Sequence, residues 1–308
     1  MLVHRDINNL PHFKNAVITI GTFDGVHTGH LQIIAQLQQE AKKINGETVI
    51  VTFDPHPRMV IHSDKSEIKL LNTLDEKIEL LSKQNIDHLV VVPFTHKFSE
   101  QSADEYISNF LVKTFHPHTI IIGYDHHFGK DREGNYKLLE YYAKQFTYHV
   151  KEIPEHVLNA VTISSTKIRE AVLDCDIDTA NKYLGYTYFF EGLVIDGNKL
   201  GRTLGYPTAN LNLIDKNKLV PGNGIYAVQL ITGNEQFAMK GMMSIGVRPT
   251  LGNSERTIEV NIFDFDKDIY GEKIRVYVKY FLREEKKFDG LEELKKAINE
   301  DKIAALKY

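Results

Sequence analysis

The stretch Val17 to His30, VITIGTFDGVHTGH, opens on four strand-forming residues and then packs three glycines and two histidines into ten positions. An apolar, β-branched run of this length predicts a short buried strand. Beyond it, Leu31 to Lys43 carries Leu31, Ile34, Leu37 and Ala41 at helical spacing, and Thr48 to Phe53 reads as a second strand. The stretch is therefore the turn of a β-α-β unit. A strand that ends in glycine and turns into a helix leaves backbone N–H groups free at the positive end of the helix dipole, which makes a phosphate cradle. His27 and His30 are three apart, so both imidazoles can lie on one side of that cradle and donate to phosphate oxygens. Gly29 between them allows close approach of a ligand. The bare spacing His-x-Gly-His is also compatible with two surface histidines. Zinc is set aside, because no cysteine lies nearby and no third ligand stands at helical spacing.

The alternation continues with strands at His88 to Val92 and Thr119 to Ile122 and helical stretches around Leu74 to Lys83 and Ala103 to Lys113. This predicts a mostly parallel, doubly wound α/β sheet, Rossmann-like in type. A helix follows Ser164-Ser165-Thr166, a second runs from Ile177 to Leu184, and Gly185 stops it. From Tyr186 the grammar changes to short β runs broken by Gly, Pro and Asn: Tyr188 to Ile195, Ile225 to Ile231, Phe237 to Ile245, Thr257 to Phe265 and Lys273 to Phe281. These predict a small β-barrel. A terminal helix, Leu291 to Leu306, has Leu291, Leu294, Ile298 and Ala305 as its apolar side. Two domains are expected, 1–184 and 185–308, with no internal repeat.

The 308 residues are 42% apolar and 25% charged, ordinary values for a folded globular chain. With 37 basic against 41 acidic residues the formal charge is −4, which gives no general attraction to nucleic acid or to an anionic membrane. Phosphate binding must then be local, and neither nucleic acid nor membrane is expected as a partner. The lone Cys175, an N-terminus without a signal-type apolar segment, and no run near the roughly 20 apolar residues a bilayer requires point to a soluble cytoplasmic protein. A monomer or weak homo-oligomer is the expected state.

The string Gly21 to His30 resembles the signature of the His-x-Gly-His nucleotidyltransferases, and Ile163-Ser164-Ser165-Thr166-Lys167-Ile168-Arg169 is similar to that superfamily's second phosphate-binding motif. Gly123-Tyr124-Asp125-His126-His127-Phe128-Gly129 is similar to a loop of the prokaryotic bifunctional FAD synthetases, which also carry Phe53-Asp54-Pro55-His56-Pro57. Many members have an aromatic residue where His126 stands. Gly201-Arg202-Thr203-Leu204-Gly205-Tyr206-Pro207-Thr208-Ala209-Asn210 resembles the riboflavin kinase motif ending Pro-Thr-Ala-Asn. Further matches are Pro221 to Tyr226, read as a lid, Gly246 to Thr250 and Phe281 to Phe288.

The resemblance implies an enzyme that phosphorylates riboflavin with ATP to FMN, then adenylates FMN with a second ATP to FAD. It implies an adenylyltransferase ATP site of Gly21, Phe23, Asp24, His27, His30, Asp125, Ser165, Thr166 and Arg169. A kinase ATP site falls on Gly201, Gly205, Thr208 and Asn210, and flavin contacts on Phe128, Pro55, Pro57 and Arg283. The Thr208 hydroxyl and Asn210 amide oxygen are hard ligands suited to Mg²⁺. The family's catalytic glutamate falls on Glu259, where strand alternation turns Ile258, Val260 and Ile262 to one face and Glu259 with Asn261 to the other. A general base there suits phosphorylation of an alcohol. A rival transferase acting on another phosphorylated acceptor leaves Pro207 to Asn210 unexplained. A rival oligonucleotide-binding barrel using Tyr186, Tyr188, Phe189 and Phe190 is opposed by the negative charge.

Overall fold

In the computed structural model, described over residues 1–61, 68–154, 163–197, 201, 205–233, 238–247 and 256–308, the opening strand is β2 in a sheet of six parallel strands among the described residues. These are β1 (Leu2–His4), β2 (Val17–Ile20), β3 (Thr48–Asp54), β4 (His88–Pro93), β5 (Thr119–Gly123) and β6 (His149–Ile153), in the order β1-β4-β3-β2-β5-β6. Each adjoining pair is parallel. All of β2 and β5 and nearly all of β3 and β4 are buried, as strands covered on both faces require. The chain lays β3 and β4 to one side of β2, then returns to place β5 on the other. The loop leaving β2 therefore sits at the topological switch point, where open α/β sheets bind ligands.

Helix α1 (Thr28–Lys43) buries Ile34, Leu37 and Ala41, three of the four residues in the stripe read from the sequence, while Leu31 is half-buried. Helix α2 (Leu74–Ser82) is opened by a capping box: the Thr73 hydroxyl accepts from the Glu76 N–H while the Glu76 carboxylate accepts from the Thr73 N–H. The stretch expected as one helix over Ala103 to Lys113 is instead a helical turn at Ala103–Glu105, a π-helix at Tyr106–Val112 and a further turn at Lys113–Phe115. Helix α3 (Tyr136–Phe146), β1 and β6 have no counterpart in the sequence reading. Both edge strands are short and partly exposed, so they lack the apolar run that betrays a central strand.

The chain divides into two units, Met1–Ser164 and Ser165–Tyr308. This places α4 (Ser165–Leu173) and α5 (Ile177–Leu184) with the barrel, whereas the sequence suggested a break near Gly185. The reason is visible at Asn181, whose side-chain amide donates to the Val278 carbonyl and accepts from the Tyr188 N–H, fastening α5 to barrel strands. Gly185 does end α5, in the left-handed conformation at φ 79°.

The barrel is closed and antiparallel. Its strands are β7 (Phe189–Ile195), β8 (Ala209–Leu213), β9 (Gly224–Thr232), β10 (Met239–Val247), β11 (Arg256–Ile262) and β12 (Lys273–Arg283), in the order β10-β11-β8-β7-β12-β9. Its wall buries Tyr188, Phe190, Tyr226, Val260 and Val276. β8 was hidden in the sequence because its half-buried residues, ANLNL, continue the Pro-Thr-Ala-Asn string. Helix α6 (Leu291–Ala305) closes the chain but buries Ala297, Asp301 and Ala305, while Leu291, expected on its apolar side, is exposed. The carboxylate of Asp301 is buried because Arg283 pairs with it.

Candidate functional site

In the first unit the loop after β2 is held by unusual backbone. Gly25 lies at φ 89°, and Phe23 and Val26, which carry Cβ atoms, lie at φ 48° and 37°. Side chains there are strained by roughly 1–3 kcal/mol each, a cost found where surrounding structure over-determines a functional turn. The Gly21 N–H donates to the Val51 carbonyl at 3.0 Å. A Cβ on Gly21 would meet the Phe23 ring at 3.2 Å, so glycine lets that ring fold under the loop. Phe23 is itself buried and forms the floor of the turn, against His30 at 4.9 Å between ring centroids.

His27 caps α1, its Nδ1 accepting from the His30 N–H at 3.4 Å. The two imidazoles stack at 3.7 Å with 19° between planes. Both cannot carry charge at that separation without mutual repulsion. Burial first, then His27, then Lys77 hold the His30 pKa well below the ordinary histidine range. His30 Nδ1 is buried and has no hydrogen-bond partner among the described residues. A buried imidazole nitrogen left over at a helix start suits a ligand that supplies the missing partner.

Asp24, which the resemblance assigns to the nucleotide site, has partners within the chain itself. Its buried carboxylate accepts from the N–H groups of Leu71 and Asn72 at 3.3 and 3.1 Å, so it anchors the chain leading into α2. The sequence reading missed Lys77 on that helix. Lys77 is 6% exposed, and its ammonium donates to Thr52 Oγ1 at 3.3 Å while Thr52 Oγ1 donates to the Thr22 carbonyl. Burial lowers its pKa, and Asp24 and Asp54 pull it back up. The signal was present: Lys77 shares helical spacing with Leu80 and Leu81, so a cation stands on an apolar face.

The flavin-side candidates gather at the same ends of the sheet. Rings run continuously from Phe53 at the end of β3 through Phe98 and Tyr106 to Phe128, at centroid separations of 5.8, 6.0 and 5.0 Å. Phe128 is buried in this series and bridges Gly134, so its ring is part of the wall. Pro55 follows a cis peptide and is exposed, Pro57 opens a helical turn and is half-buried, and Asp125 is exposed. His126 lies 5.9 Å from Phe128 between centroids, and its buried Nε2 has no partner among the described residues.

Ser165, Thr166 and Arg169 lie in the first turns of α4, so the hydroxyl-rich string does open a helix. Within the first unit, the carbonyl of Ile163 runs 3.8 Å from where a Gly29 Cβ would sit, which brings the chain just before Ser165 past the start of α1.

In the barrel, Asn210 and Glu259 are register partners on β8 and β11, and Thr208 Oγ1 donates to Glu259 Oε2 at 3.1 Å. The Asn261 amide, on the same strand, donates to the Pro207 carbonyl and fixes the turn that presents Thr208. The Tyr206 N–H donates to the Gly201 carbonyl, and a Cβ on Gly201 would strike the Tyr206 carbonyl. Gly205 lies at φ 85°. Beside these residues opens a cavity of about 400 Å³, lined by Thr208, Val260, Phe265, Asp266, Lys267 and Tyr270 among others. The sequence reading assigned none of the 265–270 segment to a site, Phe265 entering it only as the end of an expected strand. Arg202 to Leu204, Arg248 to Thr250 and Phe237, which the reading used, lie outside the described residues.

Arg283 and the Pro221 to Tyr226 segment both have partners within the second unit. Arg283 makes a bidentate pair with Asp301, at 2.9 and 2.7 Å, and so ties β12 to α6. The segment Pro221 to Tyr226, read as a lid, is fastened down. The Gly222 N–H donates to the Val172 carbonyl, Tyr226 donates to the Gly222 carbonyl, and Arg256 donates to Asn223 Oδ1 and the Pro221 carbonyl.

Fold and site together define a two-unit chain, with a parallel α/β unit whose switch-point loop suits a phosphate and a closed β-barrel unit that presents Thr208, Asn210 and Glu259 together. The chain matches the FAD synthetase family over residues 10–167 and the riboflavin kinase family over residues 184–308. It belongs to the family of bifunctional riboflavin kinase/FMN adenylyltransferases. One such protein, from Buchnera aphidicola subsp. Acyrthosiphon pisum, is 35% identical over 311 residues, covering 100% of this chain and 98% of its own. Another, from Listeria monocytogenes, is 38% identical over 288 residues, covering 93% and 90%. A crystal structure described as a macrolide-efflux protein from Streptococcus pneumoniae is similar throughout, with a TM-score of 0.88, 29% identity and coverage of 100% and 99%. Among the described residues no helix is long and apolar enough to cross a membrane.

Proposed function

We propose that this chain makes FAD from riboflavin in two steps, one in each unit. In the barrel the γ-phosphoryl of ATP passes to the ribityl 5′-hydroxyl of riboflavin, giving FMN and ADP. Glu259 takes the proton that the hydroxyl loses as its oxygen bonds to phosphorus. The Thr208 hydroxyl holds the Glu259 carboxylate in place before substrate arrives. Gly201 and Gly205 shape the loop that follows the phosphates, and the neighbouring cavity takes the remainder of the nucleotide. The donor set of hydroxyl, amide and carboxylate oxygens fits Mg²⁺, a hard cation, and Thr208 and Asn210 would hold it. When bound, that ion supplies charge neutralisation to the phosphates. Arg283, through its pairing with Asp301, shapes the flavin side of this site.

In the first unit a phosphate oxygen of FMN attacks the α-phosphorus of a second ATP, the α–β bridging bond breaks, and pyrophosphate leaves with FAD formed. The acceptor phosphate is already ionised near neutral pH, so the step asks for positioning and charge stabilisation, not for a base. His27 and His30 donate to the triphosphate, with the loop from Gly21 to Asp24 beneath it. The family resemblance assigns further phosphate contacts to Ser165, Thr166 and Arg169, at the start of α4, and a nucleotide contact to Asp125. Phe128, Pro55 and Pro57 line the flavin side, on the ring series that ends at Phe53. The functional boundary between the two activities is placed at Gly185, and the protein is taken as a cytoplasmic monomer or weak homo-oligomer.

The single observation that carries the reading is the stacked His27–His30 pair at the start of α1, with a buried nitrogen lacking a partner among the described residues. The test is incubation of the purified chain with riboflavin, ATP and Mg²⁺, followed by chromatography of the flavins. FMN should appear first and FAD after it. Riboflavin left unchanged would overturn the reading.

A further inference from the structure

Near the His27–His30 pair lies a cation, Lys77, that the two-step scheme does not use. Lys77 is almost fully buried, and a buried ammonium is costly unless counter-charge and hydrogen bonds compensate it. Here the compensation comes from three directions. Thr52 on β3 accepts from it, Asp24 stands in the loop after β2, and Asp54 stands at the end of β3. Asp24 meanwhile accepts from two backbone amides in front of α2, and Thr52 donates to the Thr22 carbonyl. Lys77 is thus the point at which the phosphate loop, the end of β3 and α2 are joined.

A structural cation would serve this joining role anywhere in the interior. This one is placed where it also acts on His30, whose environment it makes more positive. The groups facing His30 are His27 from its own helix cap and Lys77 from α2, and those facing Lys77 are Asp24 and Asp54. A triphosphate brings several negative charges to this place, and a cation fixed before it arrives costs no reorganisation during the reaction.

We propose that Lys77 is a positioning residue of the adenylyltransferase: its buried ammonium braces the Gly21–Asp24 loop through Thr52 and keeps a fixed positive charge near the twin imidazoles. This rests on reading those imidazoles as the triphosphate grip. Lys77 touches neither flavin nor reacting phosphorus in this scheme. It acts by holding the loop, through Thr52 and the Thr22 carbonyl, in the place where the nucleotide enters.

The test uses the full chain and three variants, Lys77→Met, Lys77→Arg and His30→Ala. FAD formation from supplied FMN is measured beside riboflavin phosphorylation in the same preparation, and the His30 ring is titrated by NMR, assigned by its loss in His30→Ala. Lys77→Met should slow FAD formation on the order of a hundredfold, the cost of a misplaced catalytic constellation. Riboflavin phosphorylation should stay within about twofold, since the second unit carries it. The His30 titration midpoint should rise, and Lys77→Arg should restore most of both effects. Lys77→Gln, read in the same way, serves where the methionine variant does not fold. FAD formation within about twofold of the parent chain overturns the proposal, and so does slow FAD formation with the His30 midpoint unmoved, which would mean a structural role alone. His30→Ala that still makes FAD at the parent rate overturns the underlying site reading instead.

Discussion

Substituting Asp24 tests whether the loop is anchored as the geometry indicates. Asp24→Ala removes an acceptor from two backbone N–H groups, those of Leu71 and Asn72, in a place water does not reach. Each such amide left unsatisfied costs about 1–3 kcal/mol, and stranding a buried cation costs about 3–5 kcal/mol in other proteins. The terms overlap, since Lys77 has Asp54 as a second counter-charge, so a loss of about 4 kcal/mol is expected. That is a large share of the 5–15 kcal/mol typical of a folded domain. Hydrogen exchange over residues 68–82 reads the loss locally, which avoids treating a two-unit chain as a single transition. The decisive comparison is a double-mutant cycle of Asp24→Asn and Lys77→Met. Removing either partner alone leaves the other's charge less compensated, while removing both does not, so the pair should cost less than the sum by about 1–2 kcal/mol. Additivity within about 0.5 kcal/mol would mean that the two groups do not sense each other, and the account of the loop would fail.

His30→Ala should slow FAD formation by about 3 kcal/mol of barrier, on the order of a hundredfold, with riboflavin phosphorylation intact. Equal loss of both activities would argue against independent sites. Glu259→Gln should do the converse, lowering FMN formation about a thousandfold while supplied FMN still becomes FAD, as separate assays of the two flavins would register. His126 is held down to about 4 from 6.5, chiefly by burial, with His127 and Arg132 adding to it and Asp125 opposing. Between those two pH values the unfolded chain binds a proton that the native chain does not. Stability therefore falls as pH drops from about 6.5 towards 4 and levels off below. His126→Phe should flatten that limb in melting temperatures measured from pH 7 down, and an unchanged slope would assign the acid loss to other groups.

Much of this was written in the residues' order. The Val17–Ile20 run, the glycines after it and the stripe of α1 are local signals, and the structure places all three as their spacing requires. Glu259 could be assigned a face because strand alternation needs no tertiary knowledge. What escaped the reading depends on partners distant along the chain. Asp24 gave no sign in the sequence of its bonds to the N–H groups of Leu71 and Asn72, 47 and 48 positions away. Arg283 paired with Asp301 because a terminal helix packs on β12, and the same contact explains why that helix buries an aspartate and exposes Leu291. The π-helix at Tyr106–Val112 carries no spacing of its own that differs from an ordinary helix over so few residues.

Closure of the barrel has a consequence for how such a protein can change over time. Asn210 and Glu259 face each other because β8 and β11 are zipped in one register, and a sheet that joins its own ends has no free edge along which strands could slip. The distance between the proposed proton acceptor and the proposed cation ligand is therefore inherited from the hydrogen-bond ladder, not from the connections that link strands. Those connections are at liberty to lengthen, shorten or exchange residues, and the chemistry between the two strands keeps its measure.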